Sequence, residues 1–388
     1  MAADQKLAES YQPANGMGKA AYQNVQWATF TQTFATAISS NTGPAVSSGS
    51  GTQAFQYAAQ GKIAYADRLV ESMKSNGLYD DFQPGLVEAL KVKEGYAAVP
   101  YMIDMRLLWQ NKQLMEKAGA ETPTDWQSYL NACQALKKID VYGFGTGGGA
   151  GSSLAAQTIH SLLINNSGGL FDDEQQPNCV TQENIEAVDF VLELVSKGYA
   201  DPASISYTTE NVKSQWAAGR FGMGWFVCLP GGVVNDVNTD VGRALEIGEP
   251  LTGARGDKGT IMFIANLMMY KNTPSQENSE AFLTYYLQNM SKLWTQDTGI
   301  GLLPVLKSIA ATKEYQANKY ATRALEKWLP IAKTQGAPAK GVFLNVVASD
   351  GTKAMNNFAQ KILSNQTNAK DALTALQSEL KSTLPKAS

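Results

Sequence analysis

Apolar segments with helical spacing alternate along this sequence with short extended apolar segments, and glycine or proline separates most of them. In residues 184–197, apolar side chains recur at the spacing of one helix face, and Gly198 ends the pattern. This alternation predicts an α/β fold. The predicted helices cover residues 4–10, 31–39, 52–60, 154–164 and 184–197, and the predicted strands cover 24–27, 96–101, 105–109 and 223–229.

The last part of the sequence predicts helices almost exclusively, over residues 279–294, 313–328, 349–363 and 368–380. Near the middle, Thr124 and Gln127 have the spacing of a capping box, which predicts the start of another helix. A chain of 388 residues is long enough for two domains, each with its own core. Because no low-complexity linker interrupts it, we expect domains joined by short crossing strands.

Charge and composition exclude several classes of protein. The formal net charge is -3, and the 32 Lys and Arg residues are scattered, which argues against nucleic-acid binding. The best apolar stretch, residues 261–270, is too short to span a bilayer. Cys133, Cys179 and Cys228 are too widely spaced for a zinc cluster, so we expect neither a metal nor a cofactor. Residues 1–7 lack the pattern of a signal peptide, which leaves a cytoplasmic location or a removed export signal.

The glycine-rich loop at residues 143–153 contains a formal G-x-G-x-x-G, the pattern of dinucleotide-binding loops. The preceding residues 137–142 are too few and too charged for the buried strand that such a site needs. Two interpretations remain: a flexible connection, or a loop whose amides and Ser152 or Ser153 approach a polar ligand.

The sequence gives little evidence for a catalytic site. His160 is the single histidine, and its apolar neighbours predict a satisfied, partly buried side chain in a helix rather than a general base. Adjacent carboxylates such as Asp80 and Asp81 lie in predicted turns, where they are usually solvated. Glycoside hydrolysis requires two carboxyl groups that flank the scissile bond, and a pair distant in sequence stays open.

The tryptophans suggest a sugar ligand. A sugar presents flat faces of C–H groups and a rim of hydroxyl groups, so its sites combine aromatic rings with a few polar side chains. Trp225 is the first candidate for a stacking surface, because glycines surround it near the end of a predicted strand. Trp27 and Trp109 are further candidates, whereas Trp126 lies in an apolar helix stripe and is assigned to the core.

Several segments together resemble the extracellular solute-binding proteins of ABC sugar importers, of the maltose-binding-protein type. The similar segments, whose order and spacing make the match specific, are Asn41-Thr42-Gly43-Pro44, Tyr96-Ala97-Ala98-Val99-Pro100-Tyr101, Gly168-Gly169-Leu170-Phe171, Trp216-Ala217-Ala218-Gly219-Arg220-Phe221-Gly222-Met223 and Thr298-Gly299-Ile300. Two positions depart from the family's pattern: the usual aspartate after Pro44 is Ala45, and the first strand has no counterpart before residue 4.

The resemblance implies a two-lobed fold of the periplasmic-binding-protein type II class, with a hinge and a helical C-terminal part. It implies a first lobe at residues 1–105 and 260–305 and a second at 106–259 and 306–388. The ligand, a small carbohydrate and more specifically an oligosaccharide, is expected in the cleft between the lobes. The residues expected to bind it are Trp225, Trp27, Trp109, Asp104, Asn266, Gln53, Ser50, Gly148 and Ser152.

The expected function is delivery of the sugar to the permease subunits of an ABC transporter, by a monomer without enzymatic activity. The expected location is outside the cytoplasm, either in the periplasm or lipid-anchored at the outer face of the cell membrane, with the export signal upstream of the given sequence. Two alternatives stay open at this point: a glycoside-acting enzyme, and the same fold with a non-sugar solute such as a polyamine, metal complex or peptide.

Overall fold

The computed structural model describes residues 2–14, 16–25, 27–228, 240–295, 302–350 and 352–384. The chain divides into two compact units. Unit 1 comprises Met1–Ile103, Ile264–Asn318 and Val342–Leu344, and unit 2 comprises Asp104–Phe263, Lys319–Gly341 and Asn345–Ser388. The largest difference from the boundaries expected from the sequence is at residues 306–318, which belong to unit 1.

Helices and strands alternate through most of the described chain. The helices are α1 (Ala2–Glu9), α2 (Trp27–Ser39), α3 (Gln53–Ala59), α4 (Asp67–Ser75), α5 (Leu78–Asp81), α6 (Lys112–Ala118), α7 (Trp126–Lys137), α8 (Leu154–Asn165), α9 (Gln182–Ser196), α10 (Thr209–Ala217), α11 (Asp240–Ala244), α12 (Gln276–Asn289), α13 (Lys292–Thr295), α14 (Lys307–Ala310), α15 (Lys313–Gln316), α16 (Lys319–Arg323), α17 (Lys353–Leu363) and α18 (Ala369–Thr383). The strands are β1 (Val46–Gly49), β2 (Lys91–Val92), β3 (Gly95–Tyr96), β4 (Val99–Asn111), β5 (Met223–Val227), β6 (Leu245–Ile247), β7 (Thr260–Met269), β8 (Leu303–Pro304) and β9 (Ala332–Thr334).

Two long strands, β4 and β7, belong partly to each unit. Strand β4 leaves unit 1 after Ile103, and β7 enters it at Ile264. The sequence predicted two separate strands where β4 runs unbroken; its side chains are nearly all buried, because both of its faces are largely apolar. In unit 1, β1 pairs antiparallel with β7 and β8 with β4; in unit 2, β5 and β6 pair antiparallel with β4, and β9 pairs parallel with β7.

Unit 1 fixes helix α1 through a buried polar contact. The Asp4 carboxylate accepts hydrogen bonds from the hydroxyl groups of Tyr101 and Tyr286, the latter at 2.9 Å. The two hydroxyl groups are themselves 3.1 Å apart. Burial raises the pKa of Tyr101 well above its usual range. Both phenols therefore stay protonated and available as donors at neutral pH.

Unit 2 has a helical core in which α8 and α9 contact α17 and α18. Helix α8 is buried along almost its whole length. The fully buried Asn184 of α9 holds the turn after α8: its Nδ2 donates to the carbonyl oxygens of Gly169 (2.6 Å) and Cys179 (2.9 Å), and its Oδ1 accepts from the Gly169 amide (3.0 Å). One side chain thus satisfies three buried backbone groups.

Several predicted boundaries move by a few residues. Helix α7 is capped by Asp125 rather than Thr124: its carboxylate accepts from the Ser128 amide at 2.7 Å, and a carboxylate is a stronger acceptor at a helix N-terminus than a hydroxyl group. Helix α2 already begins at Trp27, within the predicted extended segment. The helix predicted over 313–328 is divided into α15, α16 and a π-helical turn that inserts Trp328 into the core, where its Nε1 donates to the Gly248 carbonyl at 3.2 Å.

Two observations concern the chain as a whole. Cys133, Cys179 and Cys228 are all buried thiols, and burial raises the pKa of each. Among the described residues, no helix has both the length and the apolar character needed to cross a membrane.

Candidate functional site

A polar pocket lies within unit 2, beside the N-terminal half of α8. Its enclosed part is small, about 10 Å³, which is roughly the space of one water molecule, and the rest of the hollow is open to solvent. Its walls come from α8, the unit 2 part of β7, the segment after β9 and the start of α17. The lining residues are Ser153, Ala156, Gln157, His160, Ile261, Phe263, Gln335, Ser349, Asp350, Met355 and Asn356.

Four polar side chains of this pocket make no hydrogen bond to any described part of the chain: Ser153, His160, Gln335 and Asn356. His160 and Gln335 are each only 3% exposed. Folded proteins pair almost all of their buried polar groups, because an unpaired one costs about 1–3 kcal/mol. The pocket therefore presents hydrogen-bonding capacity that the protein itself leaves unused.

The charged pair Arg106 and Asp104 supports one wall of the pocket. The Arg106 Nη1 lies 2.7 Å from the Asp104 Oδ2, and its Nε donates to the Gln157 Oε1 at 2.8 Å. A guanidinium group can only donate, so the amide oxygen of Gln157 must face it. The Gln157 amide nitrogen, which has no partner among the described residues, is left as a donor for a ligand.

An aromatic ring completes this wall. The Arg106 guanidinium carbon lies 4.9 Å from the centroid of the Phe263 ring, a cation–π contact. The half-buried Phe263 also packs against the small apolar cluster of Ile164, Ile261 and Ala337. Since Phe263 lines the pocket as well, its ring is held in place by its neighbours and offers apolar surface to a ligand.

The imidazole of His160 is neutral at physiological pH. Burial lowers its pKa to about 4, because desolvation disfavours the charged form. A neutral imidazole has one donor and one acceptor nitrogen. The predicted position of His160 on a packed helix is confirmed, but the side chain is more deeply buried than predicted, and its Nε2 has no partner among the described residues, contrary to the prediction of a satisfied histidine.

The predicted aromatic contacts occupy other places. Trp225 is 3% exposed, with its ring centroid 5.3 Å from that of Tyr129 in the core of unit 2. Trp109 is 1% exposed and donates from Nε1 to the Val227 carbonyl at 3.0 Å. Both rings are therefore buried in this structure, and their role in sugar binding stays a prediction. Trp27 begins α2, and its side chain lies outside the described residues.

The glycine-rich loop is packed rather than open. The Gly148 carbonyl accepts from the Gln360 Nε2 at 2.7 Å, and its amide donates to the Ser204 carbonyl at 2.8 Å. Ser152 is 1% exposed, and its hydroxyl group donates to the Gly147 carbonyl at 3.3 Å. The polar groups of Gly148 and Ser152 thus already have partners in the protein, and their role as ligand contacts stays a prediction. The next residue, Ser153, is the one that lines the pocket.

Three other predicted residues meet in unit 1. The Gln53 Oε1 accepts from the Ser50 amide at 3.2 Å, and the Asn266 Nδ2 donates to the Ser50 carbonyl at 3.0 Å. Asn266 is fully buried, and its Oδ1 has no partner among the described residues. A Cβ on the adjacent Gly49 would lie 2.9 Å from the Gln53 Oε1 and 2.3 Å from the Met268 Cε, so a larger residue there would displace the ends of both side chains. The binding role of these three residues, like that of Asp104, stays a prediction.

Sequence reasoning missed Phe263, Gln157, Gln335 and Asn356 as site residues. One local signal was present: Ser153, immediately before helix α8, and Gln157 and His160 within it are spaced at i, i+4 and i+7, on one face of a largely apolar helix. Such a polar stripe on a buried helix indicates a face that meets water or a ligand. No comparable signal marks Phe263 or Gln335, which lie in separate segments.

Comparison with known proteins gives a consistent picture. The profile of a family described as "Bacterial extracellular solute-binding protein" matches residues 1–293. Among curated proteins, a putative binding protein of Brucella abortus (strain 2308) is 23% identical over 265 residues, 66% of this chain and 62% of that protein. A putative ABC transporter periplasmic-binding protein of Escherichia coli (strain K12), YcjN, is 23% identical over 65% of this chain and 58% of its own length. The chain thus spans less than two thirds of these relatives.

Solved structures are similar over more of the chain. A sugar transporter from Arthrobacter chlorophenolicus A6 with bound laminaribiose is 44% identical, with a TM-score of 0.90 over 99% of this chain and 96% of that one. The sugar-binding protein MalE of Xanthomonas citri, at 19% identity and a TM-score of 0.76 over 93% of this chain and 89% of its own, shows the same fold. The predicted α/β fold class is confirmed.

Proposed function

The chain belongs to the family of bacterial extracellular solute-binding proteins, and from that membership we propose that it binds a small carbohydrate, an oligosaccharide, and delivers it to the permease of an ABC transporter. The proposal extends to its location, outside the cytoplasmic membrane, in the periplasm or lipid-anchored. It also extends to its state: a monomer that binds its solute without converting it.

One observation carries the choice of ligand: the 44% identity, over 99% of this chain, to a sugar transporter that has laminaribiose bound. Laminaribiose, a disaccharide of glucose, is therefore the first ligand to test.

The pocket of unit 2 has the chemistry that this ligand class requires. In the proposed complex, the C–H face of one sugar ring packs on Phe263, because aromatic rings present an apolar face of matching size. The Gln157 amide nitrogen donates to a hydroxyl group, and the Ser153 and Asn356 side chains, unpaired within the described protein, contact others. Hydrolysis would require two carboxyl groups at the bond, and Asp350 is the single carboxylate among the residues that line this pocket.

The test is calorimetric titration of the purified protein with laminaribiose, laminaritriose, cellobiose, maltose and glucose. We expect saturable binding of at least one oligosaccharide, and an unchanged sugar after prolonged incubation. Phe263→Leu serves as the site variant, and Phe282→Leu, at a half-buried ring on α12 of unit 1, as the matched control. A folded wild-type protein that binds no member of a broad sugar panel refutes the proposal, and release of monosaccharides would establish an enzyme instead.

A further inference from the structure

Two side chains of the unit 2 pocket, His160 and Gln335, combine deep burial with unused hydrogen-bonding capacity. Both are 3% exposed, both line the pocket, and neither side chain bonds to a described part of the protein. The other unpaired polar residues of the pocket, such as Ser153 and Asn356, are more exposed and can be satisfied by bulk water. We call His160 and Gln335 the buried pair.

Within the buried pair, the His160 Nε2 is itself a buried atom without a partner among the described residues, and such an atom lowers the stability of the fold. Each unpaired buried polar group costs about 1–3 kcal/mol, and apolar residues of similar shape avoid that cost. Sites that break a rule of folding in this way are commonly functional. A water molecule, or a ligand with suitable donors and acceptors that displaces it, recovers this cost.

From this geometry we infer that the buried pair is the specificity subsite of the pocket, where His160 and Gln335 hydrogen-bond a hydroxyl group of the bound sugar and so select among sugar isomers. The inference rests on the proposed function, since it takes a sugar as the ligand. To that function the inference adds the two residues that discriminate between sugars with the same number of hydroxyl groups.

The chemistry of the pair favours an uncharged hydroxyl group. A neutral imidazole and a primary amide each supply donors and acceptors, and a hydroxyl group can both donate and accept. A carboxylate or phosphate would require a cation, and the nearby Arg106 is already engaged by Asp104 and Gln157. When a site is built to bond a hydroxyl group, an analogue without it leaves polar groups unpaired and is strongly rejected.

Two substitutions separate a binding role from a structural one. In His160→Leu and Gln335→Leu we expect sugar affinity to fall at least tenfold, the equivalent of about 1.4 kcal/mol, while the unliganded protein unfolds at the same urea concentration or a higher one. His160→Gln, which keeps donors and acceptors, should retain part of the affinity. The matched control is Thr158→Val on the same helix, where the hydroxyl group is also buried and unpaired among the described residues but does not line the pocket.

The single histidine allows a direct observation. In protein labelled with ¹⁵N-histidine and purified without a histidine tag, His160 gives the only imidazole signals. We expect laminaribiose, or whichever panel sugar binds, to shift these signals. A monodeoxy series of that sugar should contain one derivative that binds wild type and His160→Leu with equal affinity, which identifies the hydroxyl group.

The outcomes are distinguishable. If the wild-type protein binds a sugar but the imidazole signals do not move and both leucine variants bind as tightly as wild type, the subsite is refuted and the proposed function stands. If the leucine variants bind weakly only because they unfold at lower urea concentration, the pair is structural and the inference is also refuted. If the wild-type protein binds no sugar, both proposals fail.

Discussion

Replacement of Arg106 by methionine tests whether the charged pair at the pocket wall is an essential support. The Arg106 and Asp104 side chains are 8% and 20% exposed, with 2.7 Å between Nη1 and Oδ2, and the Asp104 Oδ1 has no partner among the described residues. Methionine keeps the apolar part of the side chain but leaves the Asp104 charge without its partner. The Gln157 amide also loses the donor that orients it.

The magnitude follows from the burial of the pair. Two unit charges about 4 Å apart interact by roughly 4 kcal/mol at an effective dielectric constant of 20. Removal of one partner of a buried pair typically costs about 3–5 kcal/mol, and the partial exposure of Asp104 places the expected loss near the lower limit, about 3 kcal/mol. Asp104→Asn in the same background removes the stranded charge, so the double variant should recover about 2 kcal/mol of the loss.

The assay is urea unfolding at pH 7 of wild type, Arg106→Met, Asp104→Asn and the double variant. The control is Arg255→Met, because Arg255 contacts Glu183 and Glu186 with side chains 31–37% exposed, a position where ion pairs contribute about 1 kcal/mol or less. If Arg106→Met is no more destabilising than Arg255→Met and the double variant shows a coupling energy below about 0.5 kcal/mol, the account of this wall is refuted.

Three further predictions concern single positions. Phe263→Leu should weaken sugar binding about fivefold in calorimetry, because an aromatic face contributes about 1 kcal/mol beyond its area; equal affinity in wild type and variant would contradict the stacking role. Burial lowers the pKa of His160 to about 4, against 6.5 ordinarily, so its contribution to stability is present above pH 6.5 and is lost as the pH falls towards 4. The free energy of unfolding in urea should therefore fall between pH 7 and pH 4.5 by up to about 3 kcal/mol less in His160→Leu than in wild type. An equal fall in both proteins would contradict this. Asn184→Leu should lower the free energy of unfolding in urea by about 3 kcal/mol or more, because it leaves three buried backbone groups without a partner. Asn131→Leu, on the exposed face of α7, should lower it by less than about 1 kcal/mol. Similar losses in both variants would refute the role of Asn184.

Local patterns in the sequence predicted the secondary structure of unit 2 well. Helices α8 and α9 lie within two residues of their predicted bounds, because apolar periodicity and stop residues are encoded locally. The strand around Trp225 was also predicted, although Leu229 lies outside the described residues. The long strand β4 was divided in two, with the charged Asp104 in the gap between the two predicted strands, because its pairing with Arg106 is invisible in sequence.

The orientation of side chains was harder to predict than their secondary structure. Trp225 and Phe226 are neighbours on β5 and both buried, so no polar face of the strand shows which ring could meet a ligand. Phe263 and Gln335 come together with α8 only through the tertiary fold. By contrast, Ser50, Gln53 and Asn266 do form one hydrogen-bonded cluster, although Asn266 is more than 200 residues from the other two in the chain.

The burial of all three thiols has a practical consequence for measurement. Thiol-reactive dyes attack the thiolate, and at Cys133, Cys179 and Cys228 burial both blocks access and raises the pKa. A cysteine introduced at an exposed position, such as Lys353 at the start of α17, would therefore be modified selectively in the native protein. An environment-sensitive fluorophore attached there, near the pocket residue Asn356, would turn this chain into an optical sensor for its own solute, without removal of any natural cysteine.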